Sequence, residues 1–362
     1  MEFDRGSNRQ TEIMKALIKD GDFESYKLAT LNKPVPNEGE LLIKILKVSI
    51  CGSDIALYKW NDVGKSIASL PFIPGHECVG MIEAIGENCP PEYREGQRVC
   101  CENHFFCGEC YQCSHDQQNV CQNMGQYGHG RGTMHGGCSV YSIIPARYCY
   151  ILKTDIDDNK ACILEPFGVA HNACEELKPQ NDTVLVQGCG AIGLMSIGII
   201  KWMGASKIIA TDIFDQKLEK AKIMGADVVV NGRNENLKDV VFKETDGNGA
   251  GRILEASGAQ PLVNESFQLL RKGGRCVFVG IPKEPLHVEN VGRDIIFKSL
   301  TLKTVHGRKI FRSWEESEKL IHENKVDVSC IITHDYPMSK FEEAFRILFD
   351  GEGCKIILDP SK

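Results

Sequence analysis

The rhythm of apolar positions changes twice along the chain. An apolar-rich run over residues 40–51 carries Ile43, Ile45 and Val48, and shorter runs follow over 79–85, 98–101 and 138–144, separated by Gly and Pro. Short apolar runs bounded by turn residues predict strands, and strands with no helical pattern between them predict an irregular β domain. The middle of the chain reads differently. Strand patterns over 183–187, 207–211, 228–230, 253–256 and 276–279 alternate with apolar positions at helical spacing, most clearly over 191–203 and 216–224. That alternation predicts βαβ units around a parallel sheet. Past about residue 305 the pattern shifts again. Ser313, with Glu316 three residues on as in a capping box, and Ser339 are the predicted N-caps of two helices, and 355–358 is a closing strand.

This organisation predicts a β-rich domain built from both ends of the chain, residues 14–165 and 306–362, around a dinucleotide-type α/β domain at 166–305. Residues 1–13 are polar, lack the apolar core of a secretory signal, and read as a disordered leader.

Composition narrows the function. With 42 basic and 49 acidic residues the net charge is −7, which argues against binding to a phosphate backbone. No apolar run approaches the ~18 residues of a membrane span, so neither nucleic acid nor membrane is an expected partner. Seventeen cysteines in 362 residues are an odd number, and their spacing points to metal rather than to disulfides. Reduced thiols place the protein in the cytoplasm.

Two clusters carry candidate chemistry. Cys107, Cys110, Cys113 and Cys121 follow C-x2-C-x2-C-x7-C, a set that closes a tetrahedral structural zinc shell with no position left for substrate. An iron–sulfur cluster uses similar ligands, and four unrelated free cysteines are the bland alternative. Gly188-Cys189-Gly190-Ala191-Ile192-Gly193 gives G-x-G-x-x-G after a predicted strand and at the start of a helix, the context a dinucleotide fold requires. Gly188 serves the tight turn, Gly190 the approach of pyrophosphate and Gly193 close helix–strand packing, with Ala191 and Ile192 beside them. Asp212, at the end of the next strand, suits the ribose hydroxyls and favours NAD over NADP. Lys217 reads either as a partner of Asp212 or as a solvated lysine. Ile281 is a further cofactor-lining candidate.

With Cys51-Gly52-Ser53-Asp54 and Gly75-His76-Glu77 added, the chain resembles the zinc-dependent medium-chain alcohol dehydrogenases from about residue 14 to 359. The resemblance implies a GroES-like β catalytic domain, a Rossmann NAD-binding domain and two zinc ions per chain. It implies Cys51, His76, Glu77 and Glu165 as catalytic zinc ligands, Asp54 orienting the ligand histidine, and Ser53 starting the proton path. Zinc would then acidify the hydroxyl of a small secondary alcohol while the carbinol hydride passes to NAD. The histidine usual at the outer end of the proton path is Ala56 here, and a second frequent histidine is Asn172. Either the proton leaves through water, or His104 or Glu165 takes the role; His104 reads either as a residue facing the cleft or as a structural histidine. Tyr58-Lys59-Trp60-Asn61 and Gly307-Arg308, followed by Phe311 and Trp314, draw the chain toward the branch that holds the L-threonine 3-dehydrogenases and the sorbitol and other polyol dehydrogenases. Threonine and a polyol or butanediol both stay open as substrates, beside a non-catalytic NAD-binding protein. The branch also implies a homo-oligomer, dimer or tetramer, pairing through 275–279 as the edge strand of the middle sheet.

Overall fold

The computed structural model describes residues 12–362. The expected leader therefore lies outside the described residues except at its end, where Ile13 already opens the strand Ile13–Ile18.

The middle of the chain forms one six-stranded, wholly parallel sheet. Its order is Val228–Asn231, Lys207–Asp212, Thr183–Gln187, Ala250–Glu255, Leu270–Phe278 and Thr301–Thr304. Helices cover both faces, so the central strands are apolar throughout: Val184, Leu185 and Val186 are fully buried. The strand Leu270–Phe278 is not the edge. It is flanked on its far side by Thr301–Thr304, whose four residues are all exposed. The expectation of an edge at 275–279 is corrected accordingly: a strand with no buried position shows no apolar alternation by which a sequence could reveal it.

Both ends of the chain share a second, mixed sheet of seven strands. Its path runs from Ile332–Pro337 through Lys355–Asp359, Glu40–Ser49, Glu77–Ile85 and Arg98–Cys101 to Cys149–Ile151, and Tyr141–Pro145 also pairs with Glu40–Ser49. The α/β class and the GroES-like β region are as expected.

The helix Leu164–Leu177 ties the two sheets together. Its core face (Phe167, Ala170, Cys174, Leu177) joins one apolar cluster with Val79 and Cys100 of the mixed sheet and with Val184, Val186 and Val277 of the parallel sheet. Pro166 sits in its first turn, where a missing N–H costs nothing. A division between residues 165 and 166 thus falls inside one continuous helix rather than in a linker.

Two helix starts differ from the reading of the sequence. The helix Arg312–His322 takes Phe311 as N-cap; Ser313 lies inside its first turn, where its hydroxyl accepts the Lys309 N–H at 3.1 Å. The helix Phe341–Phe349 starts from Lys340, and Ser339 belongs to the short 3-10 turn before it. In both cases a preceding turn already supplies the helical geometry, so no side-chain cap is needed.

Candidate active site

Cys51 is the N-cap of the helix Gly52–Lys59, and its backbone N–H donates to Asp54 Oδ2 at 2.8 Å. His76 stands just before the strand Glu77–Ile85, and register pairs Ser49 with Glu77 across the sheet. These three local geometries bring ligand atoms of Cys51, His76 and Glu77 within 4.8 Å of one another. His76 Nδ1 lies 3.7 Å from Asp54 Oδ1, both atoms buried and without a hydrogen-bond partner. Asp54 thus sits where a carboxylate orients the ring, at a separation longer than a hydrogen bond.

The cluster is arranged to hold positive charge. Burial opposes a charged His76, yet Asp54, Cys51 and Glu165 outweigh it and push the imidazole pKa up to about 10. A thiolate, an imidazole and carboxylates with that polarity are the donor set of a catalytic zinc, so the residues present fit the ion.

The two carboxylates of the expected ligand set stand differently. Glu77 is fully buried; its Oε1 accepts from Lys355 Nζ at 2.6 Å, and its Oε2 is held by both Lys355 and Ser49. Burial alone would raise the pKa of Glu77, but Lys355 and His76 lower it below the ordinary carboxylate value. Glu165, in the first turn of Leu164–Leu177, lies outside the three-residue cluster and is bound by Arg308 Nη1.

Arg308 organises a buried network beside the cluster. Its guanidinium is fully buried and binds both oxygens of Glu102, Nε to Oε2 at 2.9 Å, and Asn103 Oδ1 at 2.8 Å. Trp314 Nε1 completes the shell on Glu102 Oε2 at 2.8 Å. Sequence reasoning missed Glu102; its signal is an acid directly after the buried strand Arg98–Cys101, a position that is rare unless paired.

His104 faces this network. It is buried, its Nδ1 has no partner, and its ring stacks on His306 at 5.4 Å. Burial, then Arg308 and the neighbouring histidines, hold its pKa well below the usual value, so the ring is neutral. His306, which shows no ligand spacing in the sequence, is therefore its packing partner. His129, also passed over, is buried with its ring 4.9 Å from that of His76, in a loop rich in Gly whose course the sequence does not reveal. Ser53 is half-buried on Gly52–Lys59. Asn172 is buried and donates to the Gly307 carbonyl at 3.0 Å.

The four-cysteine loop places its sulfurs together. Cys110–Cys113, Cys107–Cys121 and Cys110–Cys121 are separated by 3.5, 3.6 and 3.8 Å. A tetrahedron with Zn–S of about 2.3 Å has edges of about 3.8 Å, so the loop has the dimensions of a four-thiolate zinc shell. Backbone N–H groups point at the sulfurs, those of Cys113 and Gln122 holding the Cys110 pKa down to about 6.

The glycine loop behaves as its spacing requires. Gly188 has φ +95°, and a Cβ on Gly193 would stand 1.9 Å from the Gly188 carbonyl oxygen, whereas one on Gly190 would meet open space. That open space belongs to a cavity of about 480 Å³ lined by Gly188, Gly190, Asp212, Phe214 and Lys217. Asp212 accepts from the N–H groups of Cys189 (2.8 Å), Ile213 (2.7 Å) and Phe214 (3.1 Å). With three backbone donors on it, Asp212 forms no ion pair with Lys217, whose ammonium instead lies 4.8 Å from the centre of the Phe214 ring. Ile281 is exposed and lines a different cavity, with Leu286 and Leu302. Ile192 packs on the core, while Ala191 and Gly190 share a cleft with Cys51, Gly52, Lys217 and Lys355. Through that cleft of about 250 Å³ Cys51 of the metal-ligand cluster and the dinucleotide loop open onto one space.

A metal cluster and a dinucleotide loop facing one cleft define a metal-assisted dehydrogenase, and comparison with known proteins agrees. Residues 37–154 match the alcohol dehydrogenase GroES-like domain, and 191–323 the zinc-binding dehydrogenase family. L-threonine 3-dehydrogenase of Bacillus subtilis (strain 168) is 34% identical over 353 residues, 97% of this chain and 100% of that protein. The enzyme of the same name from Proteus mirabilis is 36% identical over 332 residues, covering 90% and 94%. Among solved structures, an Escherichia coli CFT073 alcohol dehydrogenase complexed with NADH superposes with a TM-score of 0.86 at 28% identity, covering 96% of this chain and 99% of that one. The 2R,3R-butanediol dehydrogenase of Bacillus subtilis shares the fold, with a TM-score of 0.86 at 24% identity, covering 96% and 99%. The chain belongs to the zinc-dependent medium-chain dehydrogenases and is a zinc- and nicotinamide-dependent alcohol-type oxidoreductase. Within the family it stands near the threonine dehydrogenase branch.

Proposed function

We propose that this enzyme oxidises the secondary hydroxyl of L-threonine, or of a closely related β-hydroxy amino acid, with NAD as acceptor. The observation that carries the reading is the full-length similarity to L-threonine 3-dehydrogenases, 34% identical over 97% of this chain and 36% identical over 90% of it. The buried Arg308, Glu102 and Glu165 beside the metal-ligand cluster bond to one another, so they set the charge around the site rather than bind the substrate's ammonium or carboxylate.

In this reading Cys51 and His76 would hold the zinc, with Glu77 or Glu165 as third ligand once released from Lys355 or Arg308, and the ion would supply Lewis acidity at the substrate hydroxyl while the cleft beside the glycine loop would hold the nicotinamide cofactor as hydride acceptor. Asp54 orients His76, Ser53 begins the path by which the proton leaves, and neutral His104 offers a hydrogen bond on the substrate side. Asp212 favours NAD because its carboxylate repels a 2′-phosphate. The spacing of the four sulfurs supports a second, structural zinc on Cys107, Cys110, Cys113 and Cys121. Seventeen free cysteines, among them these metal-binding thiols, support a reducing, cytoplasmic location; among the described residues no helix is long and apolar enough to cross a membrane. The exposed strand Thr301–Thr304 supports a homo-oligomer, a dimer or a tetramer built from dimers.

The test is NADH absorbance with zinc-loaded protein, NAD and either L-threonine or a panel of sorbitol, butanediols and small secondary alcohols. The reading expects turnover with L-threonine and at least tenfold lower kcat/KM on every neutral alcohol. Comparable or better turnover of a polyol would reassign the substrate; no turnover of any alcohol would favour a binding protein.

A further inference from the structure

A third group of metal-type side chains lies where the helix Leu164–Leu177 packs against Arg312–His322. His171 and Glu175 occupy successive turns of the first helix, so both project from one face. Glu316 comes from the second helix, and one ligand atom from each of the three lies within 4.8 Å of the others.

The hydrogen bonding of this group is incomplete. The His171 side chain is only 5% exposed and its Nδ1 has no partner; Glu316 Oε2, 3.5 Å away, is likewise covered and unpartnered, although the Glu316 side chain as a whole is 38% exposed. Leaving a buried polar atom unpaired costs ~1–3 kcal/mol, and here two such atoms face each other. The neighbouring cations do not fill the gap. Arg312 binds Glu175 and, at 3.1 Å, Glu316 Oε1; Lys309 reaches Glu175 at 3.3 Å. Neither bonds to Nδ1 or to Oε2, and both sit at the surface, Arg312 55% and Lys309 40% exposed, free to move into water.

We propose that His171, Glu175 and Glu316 form a further divalent-metal site, distinct from the two cysteine-containing clusters. One imidazole and two carboxylates select a borderline ion such as Zn2+ over Mg2+ or Ca2+, which favour all-oxygen shells. A tetrahedral ion there takes three protein ligands and one water. It staples the helix that carries Glu165 and Asn172 to the helix that follows Arg308. Binding shifts Arg312 off the carboxylates into solvent, so the guanidinium competes with the ion.

The experiment counts zinc per chain by mass spectrometry of the metal after dialysis in a zinc buffer stepped through the micromolar range. It compares the unmodified protein with His171→Ala, Glu316→Gln and Arg312→Ala. Glu316→Gln, at a partly exposed position, keeps the comparison valid where loss of the buried histidine impairs folding. The site predicts one zinc ion more in the unmodified chain than in His171→Ala or Glu316→Gln. It also predicts severalfold tighter binding of that ion in Arg312→Ala. Equal zinc content in the unmodified chain and Glu316→Gln, or no tightening in Arg312→Ala, overturns it. Because the reading is a difference between chains, it does not depend on how many ions the cysteine clusters hold.

Discussion

At the scale of single residues, the site depends on charges buried in pairs whose members are far apart in sequence. Glu77 and Lys355 are 278 positions apart, and Arg308 and Glu102 are 206. Removing one member of such a pair leaves the other charged and dry, which costs about 3–5 kcal/mol, far more than the pair itself contributes. Lys355→Met is therefore expected to lower unfolding stability by about that amount in urea titration. The double variant with Glu77→Gln should recover a large part of the loss; a single variant as stable as the unmodified protein would contradict the pairing. The same distances explain what the sequence could and could not reveal. Cys51 and His76 are legible because C-G-S-D and G-H-E are local motifs. Glu77 is legible as part of G-H-E, but not as a carboxylate whose two oxygens are already taken. Glu102 and His129 belong to no motif, and only the folded chain puts them beside Arg308 and His76.

Regular elements are the most legible scale, because burial on one face or on both writes its period into the sequence. The strand Thr183–Gln187, the glycine turn and the helix Ala191–Trp202 sit where the pattern puts them. What the pattern omits is how the turn is held. Asp212 reaches back from the end of the next strand to the Cys189 N–H, so the residue assigned to the ribose also fixes the loop. Asp212→Ala is accordingly expected to act twice. The ratio of kcat/KM for NAD over NADP should fall roughly ten- to hundredfold, the equivalent of one or two charge-assisted hydrogen bonds. KM should rise for both cofactors because the loop loses an anchor. An unchanged ratio would remove Asp212 from cofactor choice, and a changed ratio without a shared rise in KM would remove it from the loop. Where patterns failed, at Ser313, Ser339 and Thr301–Thr304, the local signal was a capping residue made unnecessary by a preceding turn, or a strand with no buried face.

On the scale of the whole molecule, that overlooked strand matters most. Thr301–Thr304 ends the parallel sheet with all four residues exposed, so a row of backbone N–H and C=O groups has no strand neighbour among the described residues. Apolar side chains flank it: Phe297 is 78% exposed, and Leu302, Ile281 and Leu286 line the adjoining cavity of about 630 Å³. A second copy related by a two-fold axis would cover both, pairing edge to edge and placing each apolar flank against its equivalent. A two-fold axis through the middle of this four-residue strand would bring Leu302 near its own counterpart. Leu302→Asp then sets two carboxylates against each other in a drying interface, and like charges so placed cost several kcal/mol. Light scattering coupled to size-exclusion chromatography is expected to give a multiple of the chain mass for the unmodified protein and a smaller species for Leu302→Asp. Because the cleft between Cys51 and Gly190 is formed within one chain, that smaller species should still bind NADH. A variant that keeps the full mass would place the interface on another face, and an unmodified protein that runs as a single chain would leave the exposed edge to some other partner.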